Sequence, residues 1–400
     1  MKIIILGGSI LQVPLIKKAK QLSLEVVLID FNPNAIGIKY ADKFYEVSTN
    51  DTDRIETIFL EENAKCIITA ATDSPMKSIA KINDKYNLIG INFETALNAT
   101  NKALMRTKLQ EHTVPIPNFI KVSNYNDFIE ALKLFKGKKI VKPVDSSGSR
   151  GIFLLEDDKY NREAFSHAKK HSTNGDILIE EYLIGDEISV ESIVIEGETH
   201  IIAVTDKMTT GKPHFIELGH SIPSKFEGEV LTSIYEVTKQ ANKALGISIG
   251  PSHTEIIITD SGPKIVEVGA RLGGDFITSH LVPESTKVDL LKLHILQSIG
   301  ENISIGNIES YGSTIRYFQS TEGLIKKLSS EKVKDNDNIV DLCFYVRVND
   351  KVNKLKSSGS RIGHIIYKSE SVEKAIKEVE EIMKQIEIEV EENENYMDSI

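Results

Sequence analysis

Short apolar runs alternate with amphipathic stretches through the first quarter of the chain. The run KIIIL (Lys2–Leu6) leads into Gly-Gly-Ser, QVPLIKKAKQLS then has a helical period, and EVVLID (Glu25–Asp30) is a second apolar run. Wholly apolar runs are typical of parallel strands that are buried on both faces. Because KCIITAATD and YNLIGIN continue this alternation, the pattern predicts an open parallel, Rossmann-like sheet across residues 1–112.

The pattern changes at Val114–Pro117, where Val-Pro-Ile-Pro ends a helical stretch and marks a domain boundary. Beyond it, short β-rich runs alternate with helices, which favours an α+β unit. The runs DEISVESIVI and GETHIIAVTDK are predicted to form a hairpin, and SVEKAIKEVEEIMKQI a late helix. We therefore predict three domains, at residues 1–112, 113–300 and 301–400, the last a small α+β domain with an acidic tail to which no role is assigned.

Composition restricts the class of protein. The 400 residues carry a formal net charge of -10, which argues against nucleic acid as the main partner. Two cysteines cannot build a disulfide framework, and no apolar run approaches the ~18 residues that a membrane span needs. The N-terminal apolar run is too short for a signal peptide, so we expect a cytoplasmic protein without a membrane partner.

The segment KKIVKPVDSSGSRGIFLLEDD (Lys138–Asp158) contains a loop of serines and glycines. This composition is typical of phosphate-binding loops, although a P-loop would place its lysine after the glycines and would open a helix. A second copy, SSGSRIG (Ser357–Gly363), lacks the preceding Lys-Pro pair, and we interpret it as a chance repeat of turn composition. The loop alone is therefore weak evidence for phosphate binding.

Two glutamates flank a predicted hairpin turn in HTEIIITDSGPKIVEVGARLGG (His253–Gly274). Glu255 and Glu267 are equidistant from the turn to within one residue, so they should lie nearly opposite each other, provided that no bulge intervenes. Ile265, Glu267, Gly269 and Arg271 are predicted to share one face. Adjacent carboxylates repel each other unless a cation lies between them. Mg²⁺ is a suitable cation, because it is bound by oxygen ligands. Alternatively, both glutamates face solvent and Arg271 is their salt-bridge partner.

A strand end in ILIEEYLIGDE provides a candidate adenine site. Glu180 and Glu181 close an apolar strand, and Glu187 follows a glycine turn. The unpaired backbone groups of a strand end can bind the edge of an adenine, and a glutamate can accept hydrogen bonds from ribose hydroxyls. A plain β-turn between domains is the alternative.

Two other patterns are weaker. The N-terminal glycines lack the third glycine of a dinucleotide fingerprint, and Asp30 closes its strand as an ordinary turn residue would, so NAD binding is disfavoured. His167 and His171 have the spacing of two zinc ligands on a helix, but they lie among lysines without a third ligand nearby. We interpret them as a solvated helix face.

Six motifs in a fixed order identify a family. They are Lys102 in NKALMR, Lys142 in VKP, the SSGSRG loop, EEYLIGDE, Glu255 and EVGARLGG. This succession resembles the ATP-grasp superfamily of carboxylate–amine ligases, over most of the chain to about residue 300. The C-terminal segment resembles the small closing domain of the branch that includes biotin carboxylase and purine-pathway ligases.

The resemblance implies a set of site residues. Lys102 and Lys142 would bracket the phosphates of ATP beneath a lid at about residues 117–183, and Arg271 would face an acyl phosphate. The implied ATP-binding residues are Lys102, Lys142, Ser146, Ser147, Gly148, Ser149, Gly151, Glu180, Glu181, Tyr182, Leu183 and Glu187. The implied ligands of Mg²⁺, or of Mn²⁺ in its place, are Glu255 and Glu267. Gly269 departs from the family, many of whose members have a metal-binding asparagine there.

The resemblance also implies a reaction, in which ATP, a carboxylate and an amine give an amide, ADP and phosphate. Lysines, an arginine and Mg²⁺ would neutralise charge during phosphoryl transfer, with Arg271 and Lys142 as the catalytic residues. Amino-acid substrates are favoured, with contacts at Lys207, His220, Arg271, Gly273 and Gly274. A phosphoribosylamine–glycine type of ligase, a carboxyphosphate-forming carboxylase and an ATP-binding sensor are the alternatives. No biotinyl acceptor motif is visible, and a homodimer is the default expectation.

Overall fold

The computed structural model describes residues 1–146, 148, 150–212, 215–355 and 357–392. Within these residues the α-helices are α1 (Val13–Gln21), α2 (Thr52–Glu62), α3 (Met76–Tyr86), α4 (Phe93–Thr100), α5 (Lys102–Glu111), α6 (Tyr125–Leu132), α7 (Asn161–Lys170), α8 (Gly228–Leu245), α9 (Val282–Thr286), α10 (Leu290–Ser298) and α11 (Val372–Met383). None of these described helices has the length and apolar character needed to cross a lipid bilayer.

The strands in the same residues are β1 (Lys2–Leu6), β2 (Glu25–Asp30), β3 (Lys43–Glu46), β4 (Ile67–Ile68), β5 (Phe119–Val122), β6 (Lys139–Pro143), β7 (Phe153–Leu155), β8 (Ile177–Glu181), β9 (Asp186–Ile195), β10 (Glu198–Thr209), β11 (Glu217–Ile222), β12 (Gly250–Thr259), β13 (Gly262–Gly269), β14 (Gly312–Phe318), β15 (Gly323–Ser329), β16 (Ile339–Phe344), β17 (Lys351–Val352), β18 (Gly363–Ser369) and β19 (Glu387–Glu392).

The chain forms two compact units. The first comprises Met1–Val204, Phe226–Ser279 and Val288–Ile308, and the second comprises Thr205–Lys225, His280–Lys287 and Glu309–Ile400. The predicted domain boundaries near residues 112 and 300 stay a prediction.

The first unit begins with a four-stranded parallel sheet in the order β3-β2-β1-β4. Residues Ile3–Leu6 of β1 and Val26–Ile29 of β2 are fully buried, as expected for strands that are covered on both faces. The predicted parallel sheet is confirmed.

One predicted strand of this sheet is wrong. YNLIGIN forms no strand, because local hydrogen bonds occupy its backbone. Asn87 ends α3 in the left-handed conformation with φ 51°. The N–H of Leu88 then donates to the carbonyl of Asn83 at 2.9 Å, and the Asn83 side chain donates to the carbonyl of Ile91 at 3.2 Å.

A second sheet of the first unit is antiparallel, in the order β5-β8-β6-β7. Helices α6 and α7 cover it. Phe128 of α6 and Phe165 of α7 pack edge to face with ring centroids 5.4 Å apart, over the buried Ile177 and Ile179 of β8. This antiparallel sheet with its two helices has the predicted α+β character.

The remaining strands of the first unit form antiparallel hairpins. Glu196 and Gly197 join β9 to β10 with φ of 50° and 82°, a pair of positive values that tight hairpin turns require. Strand β12 pairs with both β9 and β13. One face of these strands packs on α8 through a core that includes Ile188, Ile256 and Val268, and the other face carries polar side chains.

The second unit contains strands β11-β14-β18-β16 in that order, and a small sheet in the order β17-β15-β19. Ser371 accepts a hydrogen bond from the N–H of Lys374 and so begins α11. The helix packs Val379 and Ile382 into a core with Ile325 and Ile365. The late helix predicted from the sequence is confirmed.

Candidate active site

Two buried cations lie one turn apart on helix α5. The Asn101 side chain caps the helix, because it accepts hydrogen bonds from the N–H groups of Ala103 and Leu104 at 3.0 and 3.1 Å. Lys102 and Arg106 follow with the spacing that places side chains on one helix face. Lys102 is 8% exposed and Arg106 is fully buried. Cations at this depth require charged or polar partners.

The carboxylate of Glu180 lies between two cations. Arg106 Nε donates to its Oε1 at 2.7 Å, and Lys142 Nζ lies 2.7 Å from its Oε2. Burial would raise the pKa of Glu180, but the charges of Arg106 and Lys142 hold that pKa below its ordinary value. Burial lowers the pKa of Lys142 despite the attraction of Glu180, and the nearby Arg106 charge acts in the same direction. The cluster has more positive than negative charge.

Lys102 joins two parts of the site. Its Nζ donates to the carbonyl of Ser146 at 3.0 Å and lies 2.9 Å from Oε2 of Glu267. Burial would lower the pKa of Lys102, but the charge of Glu267 raises it above its ordinary value. The ammonium group therefore lies between the start of the serine–glycine loop and the predicted metal ligands.

Glu255 and Glu267 are direct partners on β12 and β13. The register is constant from Thr259–Gly262 to Ile256–Ile265 and shifts by one residue before the glutamate pair, so that Val266 is the extra residue of a β-bulge. The prediction that the two glutamates lie opposite each other is confirmed. The sequence predicts this only in the absence of a bulge, but the bulge is what brings them opposite, because Glu267 is one residue further from the turn than Glu255.

The bulge also corrects the predicted set of residues on this face. Ile265 does not share a face with Glu267, because it is fully buried in the core cluster that contains Val268. Val268 follows Glu267 directly, and successive strand residues point to opposite faces. An insertion at Val266 changes the alternation between Ile265 and Glu267.

His253 connects Glu255 to a buried carboxylate. Its Nδ1 lies 2.5 Å from Oε1 of Glu191, and its Nε2 lies 3.5 Å from Oε1 of Glu255. Burial would lower the pKa of His253, but the charge and hydrogen bond of Glu191 raise it to about 9. The His253 ring therefore lies between two carboxylates and restrains the Glu255 side chain.

The serine–glycine loop after Lys142 differs in packing between its middle and its end. Gly148 and Gly151 have φ of 66° and 80°, which favours glycine at both positions. A Cβ on Gly151 would lie 2.6 Å from the Cβ of His171, whereas one on Gly148 would meet no atom within 4 Å among the described residues. The loop is thus packed at Gly151 and open at Gly148. The predicted ligands Ser147 and Ser149 lie outside the described residues.

Arg271 is held by Asp73. Its Nε and Nη2 donate to the two carboxylate oxygens at 2.9 and 3.1 Å. Burial would raise the pKa of Asp73, but the charge of Arg271 keeps it below its ordinary value. A Cβ on Gly269 would lie 3.0 Å from Cζ of Arg271, so a glycine at this position leaves room for the guanidinium group.

Comparison with known proteins agrees with this geometry. Residues 136–279 match the ATP-grasp domain family, and residues 316–391 match L-amino acid ligase C-terminal domain 2. An L-arginine-specific L-amino acid ligase of Bacillus subtilis is 24% identical, over 75% of this chain and 74% of the relative. A phosphoribosylamine–glycine ligase of Methanococcus vannielii is 26% identical, over 94% of this chain and 92% of the relative.

Among solved structures, an L-amino acid ligase from Bacillus licheniformis superposes with a TM-score of 0.84 at 22% identity, and the match covers 98% of this chain and 99% of that chain. The chain contains an ATP-grasp domain. Its predicted superfamily, mixed α/β fold class and class of reaction, ATP-dependent C–N bond formation, are confirmed. Proteins of the ATP-grasp family use ATP.

In this ATP-grasp ligase, the predicted adenine residues lie at the end of β8. Glu181 contacts Lys264 Nζ at 2.5 Å and Asn118 Nδ2 at 2.7 Å. The N–H of Tyr182 donates to the carbonyl of Lys138 at 3.1 Å. Leu183 follows in the turn to β9. Because successive strand residues alternate, Glu180 and Glu181 point to opposite sides of the sheet.

Glu187 lies on the polar face of the hairpins. It pairs with Ile257 across β9 and β12, and Glu255 pairs with Ser189, two residues further along β9. Side chains at alternate positions share a face, so Glu187 lies on the same side of the sheet as Glu255.

The N-terminal loop of the ATP-grasp ligase is closed by its own side chains. Asp30 accepts hydrogen bonds from the N–H groups of Gly8 and Asn32 at 2.6 and 2.8 Å. Gln12 accepts from the N–H of Ser9 at 3.0 Å and donates to the carbonyl of Ala70 at 2.6 Å. Asp30 stabilises the turn instead of presenting its carboxylate to a ribose, which argues further against a dinucleotide site.

The predicted substrate residues fall in different units. Gly273 and Gly274 follow Arg271 in the first unit, and a Cβ on Gly273 would lie 2.6 Å from a carboxylate oxygen of Glu191. Lys207 and His220 belong to the second unit, where they are partners across β10 and β11. His220 is 1% exposed, and its ring packs edge to face on Tyr317.

The sequence reasoning missed four residues, Arg106, Asp73, Glu191 and His253. Arg106 and Asp73 contact the predicted residues Glu180 and Arg271 across 74 and 198 positions, and Glu191 contacts His253 across 62 positions. Two of the four had a local signal, because Arg106 follows Lys102 by one helical turn in NKALMR and His253 precedes Glu255 by two residues on the same strand. His167 and His171 stack edge to face 5.2 Å apart, and the described residues contain no cluster of three or more potential metal ligands around them or elsewhere.

Proposed function

We propose that this ATP-grasp ligase joins the carboxylate of one amino acid to the amine of another through an acyl phosphate. The observation that carries the proposal is the convergence of Lys102, Lys142 and the Glu255–Glu267 pair in the first unit. Phosphoryl transfer from ATP requires cationic groups on the phosphates and oxygen ligands for a divalent cation. The C-terminal match to an amino-acid ligase domain and the L-arginine-specific relative support amino-acid substrates.

The two lysines would bind the phosphates of ATP. Lys142 belongs to a cluster in which two cations share one carboxylate, and a polyanion would offset that excess positive charge. The loop from Ser146 to Gly151 would cover the phosphates with its backbone N–H groups, including those of Ser147, Gly148 and Ser149. As the lid, about residues 117–183 would exclude water from the acyl phosphate.

Adenine and ribose would bind where β8 ends. Glu181, Tyr182 and Leu183 would contact the base, and Glu187 would accept hydrogen bonds from the ribose. Glu180 was also among the predicted ATP ligands. Both of its oxygens contact cations, so we propose that it supports Lys142 and does not touch the nucleotide.

Glu255 and Glu267 fit the requirements of Mg²⁺. They offer adjacent carboxylate oxygens, and Mg²⁺ in phosphoryl-transfer sites takes one or two carboxylates together with phosphates and waters. Bound Mg²⁺, or Mn²⁺ in its place, would neutralise charge on the phosphates.

The reaction would proceed in two displacements. A substrate carboxylate oxygen attacks the γ-phosphorus of ATP, and ADP leaves with the electrons of the broken P–O bond. The amine then attacks the acyl carbon, loses a proton and expels phosphate. Arg271 would face the acyl phosphate, and Asp73 fixes its guanidinium in place. Lys207, His220, Gly273 and Gly274 stay proposed substrate contacts.

A second candidate is a ligase of the phosphoribosylamine–glycine type. The similarity to the Methanococcus vannielii enzyme favours it, because that match spans nearly the whole of both chains. The two candidates share the ATP chemistry and differ in the amine, which is either an amino acid or phosphoribosylamine.

The test is phosphate release from MgATP in the presence of single L-amino acids and all their pairs, with products identified by mass spectrometry. We expect release to require particular amino acids and the product mass to equal the sum of both minus water. Glu267→Ala should abolish turnover, because it removes half of the carboxylate pair. Asp260→Ala is the matched control, because it removes an exposed carboxylate from the turn between the same two strands.

Three results would contradict the proposal. Release only with phosphoribosylamine and glycine would establish the second candidate. ATP binding without stimulation by any carboxylate would indicate a sensor, and bicarbonate-dependent release would indicate a carboxylase. The homodimer, the cytoplasmic location and the two domain boundaries stay predictions.

A further inference from the structure

Arg106 contacts two parts of the site that are far apart in sequence. Its Nε donates to Glu180 at 2.7 Å, and its Nη2 donates to the backbone carbonyl of Val266, also at 2.7 Å. The side chain is fully buried. One guanidinium group thus joins strand β8 to strand β13.

The contact on β13 is at the residue that sets the register. Val266 is the extra residue of the bulge, and the register shift there brings Glu267 opposite Glu255. A bulge leaves backbone groups outside the regular ladder of hydrogen bonds. Arg106 satisfies the Val266 carbonyl and so stabilises the bulged conformation on which the carboxylate pair depends.

The contact on β8 leads to the phosphate site. Glu180 bridges Arg106 and Lys142, with 2.7 Å contacts on separate oxygens. Without Arg106, the Glu180 carboxylate could rotate toward Lys142, and the ammonium group would lose its fixed position. The charge of Arg106 also leaves part of the Lys142 charge uncompensated.

The geometry requires an arginine. Two donors of one planar group reach two acceptors, whereas a lysine has a single nitrogen on a flexible stem. A third donor, Nη1, is buried without a hydrogen-bond partner among the described residues.

We propose that Arg106 is a positioning residue that couples the phosphate-binding Lys142 to the metal-binding Glu255–Glu267 pair. This inference rests on the proposed function. It predicts that a substitution at Arg106 weakens the binding of both the nucleotide and the metal ion. A substitution at Glu180 should weaken the binding of the nucleotide alone, because Glu180 does not contact the bulge.

The experiment measures two affinities separately for the full-length protein. ADP binding is measured by calorimetry in EDTA, and Mn²⁺ binding to the ADP-saturated protein by electron paramagnetic resonance. For Arg106→Lys we expect about a ten-fold loss in both affinities, the size typical of a lost supporting contact. For Glu180→Gln we expect the loss for ADP alone.

Lys108→Gln is the matched control, since Lys108 lies on the same helix and its side chain is 35% exposed. It should change neither affinity. Thermal unfolding of each variant establishes that it is folded. If Arg106→Lys does not fold, Glu180→Gln still decides the matter, because equal losses of ADP and Mn²⁺ affinity in that variant would refute the separation of the two contacts.

Two further outcomes distinguish a failure of the positioning role from a failure of the proposed function. Normal affinities in a folded Arg106→Lys variant would refute the positioning role and leave the ligase proposal intact. A wild-type protein that binds neither ADP nor Mn²⁺ would refute the proposed function itself.

Discussion

Two clusters of the first unit have the same composition, one buried glutamate between two cations. Glu62 lies 2.7 Å from Lys2 Nζ and 2.5 Å from Lys43 Nζ, and Glu180 lies 2.7 Å from both Arg106 and Lys142. The cations differ in exposure. Lys2 and Lys43 are 24% and 51% exposed, whereas Arg106 and Lys142 are 0% and 5% exposed.

This difference in exposure separates a supporting cluster from the proposed phosphate-binding site. Water solvates the excess positive charge around Glu62, so that cluster needs no further partner. Around Glu180 the same excess is buried, and a bound anionic ligand would offset it. The comparison predicts that substitutions in the two clusters affect different properties of the protein.

The largest effect is expected for Lys142→Met. The variant keeps most of the side-chain volume and loses the charge that would hold the transferring phosphates. We expect turnover to fall by about 10²- to 10³-fold, the size seen when one preorganised donor to a developing charge is removed. Steady-state rates with MgATP and calorimetric ADP binding measure the change.

The control for this prediction is Lys138→Met. Lys138 precedes the same strand, is exposed and contacts Glu156, so turnover should be unaffected. Wild-type rates for Lys142→Met would mean that the buried positive charge is not used in catalysis, and the contrast between the two clusters would then have no functional meaning.

An intermediate effect is expected for Glu62→Gln, and on stability alone. The amide cannot accept from Lys2, Lys43 and Tyr45 as the carboxylate does. We expect the free energy of unfolding to fall by about 1 to 2 kcal/mol, the order of a hydrogen bond to a charged group. Thermal unfolding measures this loss. A change in the KM for ATP would argue that the two clusters are not functionally separate.

Local patterns in the sequence predicted much of the fold and part of the site. Apolar runs predicted the parallel sheet, and residue spacing from a turn predicted the opposed Glu255 and Glu267. The YNLIGIN strand was wrong, because Asn83 binds the backbone that a strand would have needed. Apolar character alone cannot show that a side chain elsewhere competes for those groups.

Long-range contacts explain the rest of what was missed. Arg106 reaches residues 74 and 160 positions away, and Arg271 reaches Asp73 across 198 positions. The bulge at Val266 has no sequence signal of its own, yet it decides which side chains face the site. Such features depend on tertiary packing, which no periodicity or short motif encodes.

The smallest expected effect is a loss, at acid pH, of the stability that the Glu62 carboxylate contributes. Hydrogen bonds from Lys2, Lys43 and Tyr45 lower the pKa of Glu62 from 4.5 to about 2. A carboxylate with a lowered folded-state pKa contributes stability above its unfolded pKa and loses that contribution as the pH falls toward the folded value. The difference in Tm between wild type and Glu62→Gln should therefore be constant above pH 4.5 and shrink between pH 4.5 and 2.

The measurement is a thermal unfolding series from pH 6 to 3 on both proteins. All other carboxylates are common to the two chains, so their protonation cancels in the difference, and the remaining dependence belongs to residue 62. A difference that stays constant down to pH 3 would show that the variant loses packing and not charge. In that case Glu62 would stabilise the protein through its packing, and the comparison of the Glu62 and Glu180 clusters as ion-pair clusters would no longer hold.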